Sequence, residues 1–191
     1  MTIKNNSLIK GTYFPPGDKS ISHRILILAS QTIGKSEISN LLEGEDVLNT
    51  LKAMKILGAN IYKKNNKYVV FGIPPGALFQ PNKPIDFGNS GTGIRLICGL
   101  IASNNIKAKL VGDGSLSKRP MKRVTVHLKK IGALINLKKD SYPPIQIQGD
   151  GEALPLKYNI MIPSAQIKSA IMLSALNTKG LIEIKEFKTT R

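Results

Sequence analysis

The sequence has no tryptophan, one cysteine, five phenylalanines and five tyrosines, and fewer than half as many acidic as basic side chains. Each shortage narrows the field. Scarce aromatics, not interleaved with the basic residues, remove the stacking platforms on which single-stranded nucleic acid binds, so no nucleic-acid partner is expected. A lone thiol, Cys98, excludes a disulfide or a cysteine-based metal site within the chain. Its setting in the apolar run IRLICGLIA marks it as a core residue rather than a nucleophile. No apolar run reaches the ~18 residues that span a bilayer, and the N-terminus MTIKNNSLIK has no apolar signal core. Neither membrane insertion nor secretion is expected, and the expected compartment is the cytoplasm.

What is abundant is positive charge: 28 Lys plus Arg against 12 Asp plus Glu, a formal net charge of +16. Such a field attracts anions: nucleic acid, an anionic membrane surface, or small phosphorylated and carboxylated substrates. Part of this charge belongs to a composition rich in Lys, Asn and Ile throughout and carries no functional weight. The rest is concentrated in motifs. In PGDKSISHR, Pro16 to Arg24, Pro16 and Gly17 stop an extended segment and Asp18 can cap a helix whose apolar positions Ile21, Ile25 and Leu28 follow the 3.6 period. Lys19, Ser20, His23 and Arg24 then surround an unpaired amide terminus at the positive end of the helix dipole, a geometry that suits phosphate or carboxylate. An ordinary capped helix with a solvated basic face accounts for the same residues.

Three further motifs sit at expected helix starts. GNSGTGIR, Gly88 to Arg95, combines three glycines with Asn89, Ser90 and Thr92; it is neither a Walker A loop nor a dinucleotide fingerprint. SLSKRPMKR, Ser115 to Arg123, packs Lys118, Arg119, Lys122 and Arg123 around Pro120. PSAQIKSA, Pro163 to Ala170, has Ser164 as a helix cap with Gln166 and Lys168 polar.

These motifs recur within a repeat. From Arg24, Arg95 and Lys168, spaced 71 and 73 residues apart, the chain runs three times through an apolar helix, a small polar turn and a short alternating strand. Two of these passages continue into a second helix ending in MKILGANI or LKKIGALI, and then into the hairpin-like pairs IYKKNNKYVVFG and INLKKDSYPPIQIQG. With a preceding extended segment such as IDFGNS or YNIMIPS the unit reads βαβαββ. The ending MKILGANI begins at Met54, 30 residues after Arg24, so the third counterpart of that Met falls near position 198, beyond Arg191. The third unit is therefore expected to be incomplete, with a fragment or a separate supplier of the missing part as the alternatives.

Together, PGDKSISHR, LLEGEDVLNTLKAM, DFGNSGTGIRL, GDGSLSKRPM and PSAQIKSAIMLSAL resemble the 5-enolpyruvylshikimate-3-phosphate (EPSP) synthase family. The resemblance runs from Pro15 to Arg191 and is nearest to a bacterial subgroup with SAQ in place of SSQ, Ala165 standing at the variable position. It implies an α/β fold of repeated βαβαββ units around a pseudo-threefold axis, helices inside and sheets outside, with units at about 15–83, 84–158 and 159–191. Residues 1–14 would belong to the family's other domain, which is otherwise missing here.

By the same resemblance, Lys19, Ser20, Arg24, Ser164, Ala165, Gln166 and Arg191 hold shikimate 3-phosphate. Lys19, Asn89, Gly91, Arg119 and Gln166 hold phosphoenolpyruvate, with Lys19 touching both as the catalytic residue. No metal or organic cofactor is implied. The implied partners are the two small anionic substrates and a separate C-terminal chain completing the enzyme, since the family's acid-base carboxylate and lysine lie in its second domain. Gly91 stands where tolerant members of the subgroup carry an alanine that crowds the inhibitor glyphosate. The related transferase acting on UDP-N-acetylglucosamine has a catalytic cysteine loop that this sequence lacks. A basic RNA-binding module, with affinity falling steeply in salt, and a non-catalytic remnant are the other readings.

Overall fold

The structure, a computed structural model, describes residues 10–161 and 163–187. Of the five α-helices among the described residues, three start at a side-chain cap. Asp18 accepts from the Ile21 amide and opens α1 (Lys19–Ser30), Ser90 accepts from the Gly93 amide and opens α3 (Gly91–Ala102), and Ser164 accepts from the Ile167 amide and opens α5 (Ala165–Ala175). The two remaining helices, α2 (Glu45–Ile56) and α4 (Lys122–Lys129), run out into Gly58 and Gly132, whose φ of +113° and +109° are left-handed and turn the chain into the next strand.

The strands form three sheets. β1 (Lys35–Ile38), β2 (Asn60–Lys64) and β3 (Lys67–Phe71) are antiparallel in the order β1-β3-β2, and the β2–β3 turn is Asn65-Asn66, both at positive φ as a two-residue hairpin of this twist requires. β4 (Ile85–Asp86), β5 (Lys107–Val111), β6 (Leu134–Lys138) and β7 (Tyr142–Gln148) form a second sheet, β4-β5-β7-β6, with β4 parallel to β5 and the rest antiparallel. β8 (Lys157–Ile160) and β9 (Glu183–Glu186) pair in parallel as a third, two-stranded sheet. Both expected hairpins are present. The segments IDFGNS and YNIMIPS contain β4 and β8, but no strand precedes α1 among the described residues.

The core gathers on α3. Eleven of its twelve residues are buried, Thr92 being the exception, so this helix is enclosed rather than amphipathic. Gly99 lets α5 come close: a Cβ built there would lie 2.2 Å from the Ala170 carbonyl oxygen. Two other glycines bring a hairpin against the end of a helix, Gly72 beside the Ala29 and Thr32 carbonyls and Gly149 beside the Ile101 and Asn104 carbonyls.

Ile21, Ile25 and Leu28, the apolar positions of α1 that follow the 3.6 period, are 66%, 38% and 45% exposed, and the helix buries Ser22, His23, Leu26, Ile27, Ala29 and Ser30 instead. The buried face meets α2 and β3. α1 is thus apolar on two faces, and periodicity alone cannot say which one the rest of the chain covers.

Replacing Gly99 by Ala is expected to destabilise the protein by about 2–3 kcal/mol, because backbone rather than a yielding side chain occupies the space. Gly114→Ala, which meets nothing within 4 Å, is expected to stay within about 0.5 kcal/mol of the parent. Urea unfolding of both variants measures the difference.

Candidate anion site

The polar starts of α1, α3 and α5 are tied together by hydrogen bonds that no local pattern announces. From α1, Arg24 donates from Nε and Nη2 to Ser169 Oγ on α5, at 3.2 and 2.8 Å, and from Nη1 to the Ser20 carbonyl one turn back, at 2.9 Å. From α3, Arg95 repeats the local bond, Nη1 to the Gly91 carbonyl at 3.0 Å, and reaches Gln166 Oε1 on α5 at 3.0 Å and the Pro120 carbonyl at 3.1 Å. Gln166 Oε1 also accepts from Arg123 Nη2 on α4 at 3.1 Å, while its Nε2 donates to Thr92 Oγ1 at 3.1 Å. The Gln166 amide is therefore fixed in one orientation by three partners from two other helices.

Arg119 follows the 3-10 turn Leu116–Lys118 and donates to the side-chain oxygen of Asn89 in the loop before α3, with Ser115 Oγ 3.4 Å away. Gly91 keeps this corner open, since a Cβ there would lie 3.1 Å from Arg119 Nη1 and 3.2 Å from Arg95 Nη1. Lys19 is half exposed and pairs with Asp46 at the start of α2. Ser20 and Ala165 are exposed at the surface, and Ser164 is spent as the α5 cap. The structure thus joins Asn89, Gly91, Arg119 and Gln166 through Arg95 in one bonded network, ties Arg24 separately to Ser169 of α5, and sets Lys19, Ser20, Ser164 and Ala165 at the starts of α1 and α5. Arg191 lies outside the described residues.

The cluster is cationic and short of acid. Arg95 is buried without a carboxylate partner, and burial, followed by the charges of Arg123 and Arg119, lowers its pKa to about 10. It remains charged at neutral pH. Oxygen acceptors satisfy two of its nitrogens, while Nε has no partner among the described residues. Arg95, Arg123, Thr92 and Ser169 are not among the site residues expected from sequence, because their bonds join positions 43 to 145 apart in the chain.

His23 is a correction. It was placed among the groups facing the anion, but it turns inward, fully buried, with Nδ1 2.8 Å from Thr50 Oγ1. Burial lowers its pKa to about 4, with Lys19 and Arg24 acting in the same sense and Asp46 against them. It is neutral at physiological pH and packs rather than binds. Cys98 behaves as expected of a core thiol: it is buried and its pKa is pushed up to about 12 by burial. No group of three or more potential metal ligands is found among the described residues, and no described helix is long and apolar enough to cross a membrane.

Comparison with known proteins follows the same chemistry. The family model described as EPSP synthase (3-phosphoshikimate 1-carboxyvinyltransferase) matches residues 3–190. The chain is 46% identical over 192 residues to the 3-phosphoshikimate 1-carboxyvinyltransferase of Ruegeria sp. (strain TM1040), and 43% identical to that of Parvibaculum lavamentivorans. It is wholly covered in both alignments but spans only 43% of each relative's length. Among solved structures, an EPSP synthase from Acinetobacter baumannii superimposes with a TM-score of 0.89 at 36% identity, covering 95% of this chain and 41% of that one.

The buried neutral histidine sets a pH dependence. Its folded pKa lies below its unfolded value of 6.5, so the unfolded chain takes up the proton first and stability falls as pH drops from about 6.5 toward 4. His127, also lowered, chiefly by burial, acts in the same direction. Between pH 7 and 5 a loss of about 1–2 kcal/mol from His23 is expected, and urea unfolding of His23→Gln should show a flatter profile over that window.

Proposed function

Because the chain belongs to the EPSP synthase family, we propose that it supplies the shikimate 3-phosphate side of an enolpyruvyl-transfer site. The observation that carries this reading is that side-chain bonds converge on the first turns of α5 from α1 and from α3, Arg24 to Ser169 and Arg95 to Gln166. Arg119 and Arg123 lie near enough to Arg95 to act on its charge, and no carboxylate bonds to any of the three among the described residues. Phosphate and carboxylate oxygens fit that combination.

On this reading Lys19, Ser20, Arg24, Ser164, Ala165, Gln166 and Arg191 hold shikimate 3-phosphate. Asn89, Gly91, Arg119 and Gln166 hold phosphoenolpyruvate, and Lys19 lies between the two. The 5-hydroxyl adds to C2 of phosphoenolpyruvate as C3 takes up a proton, and the tetrahedral adduct then expels phosphate. The residues of this chain position both anions and stabilise charge at the phosphate and carboxylate oxygens. A domain supplying the acid-base carboxylate and lysine forms the opposite wall. The units at about 15–83, 84–158 and 159–191 are three copies of one βαβαββ element about a pseudo-threefold axis, the third incomplete, and residues 1–14 belong to the opposite domain.

Three outcomes are expected. Calorimetric titration with shikimate 3-phosphate gives one-site binding, weakened about tenfold to a hundredfold by Arg24→Ala, the range for losing hydrogen bonds to a charged group. Equal affinity in parent and variant removes Arg24 from the site. A phosphate-release assay with both substrates gives no turnover from the 191-residue chain alone; robust turnover places the proton-transfer groups within it. In enzyme completed by the second domain, Gly91→Ala raises the glyphosate inhibition constant by about tenfold or more, since one methyl in a tight pocket discriminates by ~1–3 kcal/mol. Equal inhibition constants refute the placement of Gly91.

A further inference from the structure

Each of the three sheets has a hollow on its solvent face, and two of these hollows contain their own anion. In the first sheet Glu37 on β1 bridges Lys35 and Lys67, at 2.6 and 3.5 Å; in the third Glu183 on β9 bridges Lys157 and Lys185, at 3.2 and 3.1 Å. The second sheet differs. Its hollow, at about 520 Å³, is larger than the other two, about 290 and 130 Å³, and no carboxylate lines it.

The difference falls on one register position. Phe71 and Gln148 each stand before the glycine that passes a helix end, Gly72 or Gly149, and they pair with Lys35 and Lys107. Two residues further along, Glu37 faces Val69 in the first sheet and Lys109 faces Gln146 in the second. Lys109 thus stands where the first sheet has its carboxylate. On β7, Gln148 lies between Lys107 and Leu134, and Gln146 between Lys109 and Asn136, so that lysines and amides share one face. Lys83 closes the hollow from the loop before β4. That loop is held in place: Gln80 Nε2 donates to the Lys107 carbonyl at 2.6 Å and its Oε1 accepts from the Lys107 amide at 2.9 Å, on the stretch of β5 that β4 does not reach. None of Lys83, Lys107 and Lys109 makes an ion pair among the described residues. The one carboxylate of these four strands, Asp86, accepts from the Gly88 amide instead.

We propose that the solvent face of β5, β7 and β6 binds an acidic segment of a partner protein, whose carboxylates take the place among Lys83, Lys107 and Lys109 that Glu37 and Glu183 fill in the other two sheets. Alternate residues of a strand lie about 7 Å apart, so Lys107 and Lys109 match acidic side chains at alternate positions of an extended segment. Gln146, Gln148 and Asn136 offer donors and acceptors to its peptide groups. No aromatic side chain lines the hollow, which disfavours single-stranded nucleic acid as the occupant. None of the residues at the helix-start corner lines it either, and the inference stands apart from the catalytic reading.

The test uses the 191-residue chain and a fluorescently labelled peptide of alternating Glu and Ser, with alternating Gln and Ser as the neutral control. Anisotropy is expected to show saturable one-to-one binding of the acidic peptide, weakened about tenfold or more by Lys109→Glu, which gives this sheet the carboxylate of the first. Lys109→Gln, removing the charge alone, weakens it by a smaller factor. Lys64→Glu, the same charge change at an exposed position of the first sheet, leaves affinity within about twofold, since a distant exposed charge is screened. Arg24→Ala leaves it unchanged. Absence of binding, equal binding of the neutral peptide, or binding that survives Lys109→Glu overturns the proposal. Displacement of the peptide by shikimate 3-phosphate at equal ionic strength overturns it too, by placing the peptide in the helix-start corner. A single-stranded oligonucleotide that binds more tightly than the peptide and is lost in Lys109→Glu identifies nucleic acid as the occupant and overturns it as well.

Discussion

The Arg95 guanidinium is the interaction on which the rest of this structure depends. It is a buried cation with no carboxylate beside it, held by the Gly91 carbonyl on its own helix, the Pro120 carbonyl before α4 and the Gln166 side chain on α5. Three separate chain segments meet at one side chain. A hydrophobic replacement would take a charged donor from the Pro120 carbonyl and leave Gln166 Oε1 to Arg123 alone. The charge is tolerated because its acceptors are aligned and it lies next to an exposed corner rather than deep in the core. Burial and then the neighbouring Arg123 and Arg119 act against it and lower its pKa to about 10.

Helix direction does the remaining work. α3 is enclosed and α5 approaches it closely at Gly99, so the starts of these helices cannot drift apart. Arg24 ties α1 to α5 by its bonds to Ser169. Gln166 then becomes a fixed dipole, with its oxygen turned to two guanidiniums and its nitrogen to Thr92. The site is rigid for reasons that lie in the core, while Lys19 and Ser20 remain at the surface where a ligand can reach them.

Local chemistry made much of this legible in advance. Asp18 and Ser164 declared helix starts, Asn65-Asn66 declared a hairpin, and the paired endings LGAN and IGAL marked two equivalent helices, because each depends on neighbours within a few residues. The errors came where long-range packing decides. His23 shares a turn with Lys19 and Arg24 but points to Thr50, because its place on the helix falls on the face that α2 covers. Ile21, Ile25 and Leu28 form a valid apolar stripe that the described chain leaves uncovered. Arg123 stands in the basic run SLSKRPMKR, and only the approach of α4 to α5 brings it to Gln166.

The molecule thus presents two surfaces of opposite character near the same helix starts, one cationic and one apolar. The most direct measurement for the cationic one is amide chemical-shift mapping of the labelled chain during titration with shikimate 3-phosphate. The account predicts saturable shifts concentrated at residues 19–24, 89–95 and 164–169, with the buried network responding as a unit. Shifts centred on Lys107, Lys109 and Gln146 of the outer sheet, or spread evenly over the surface lysines, would contradict it.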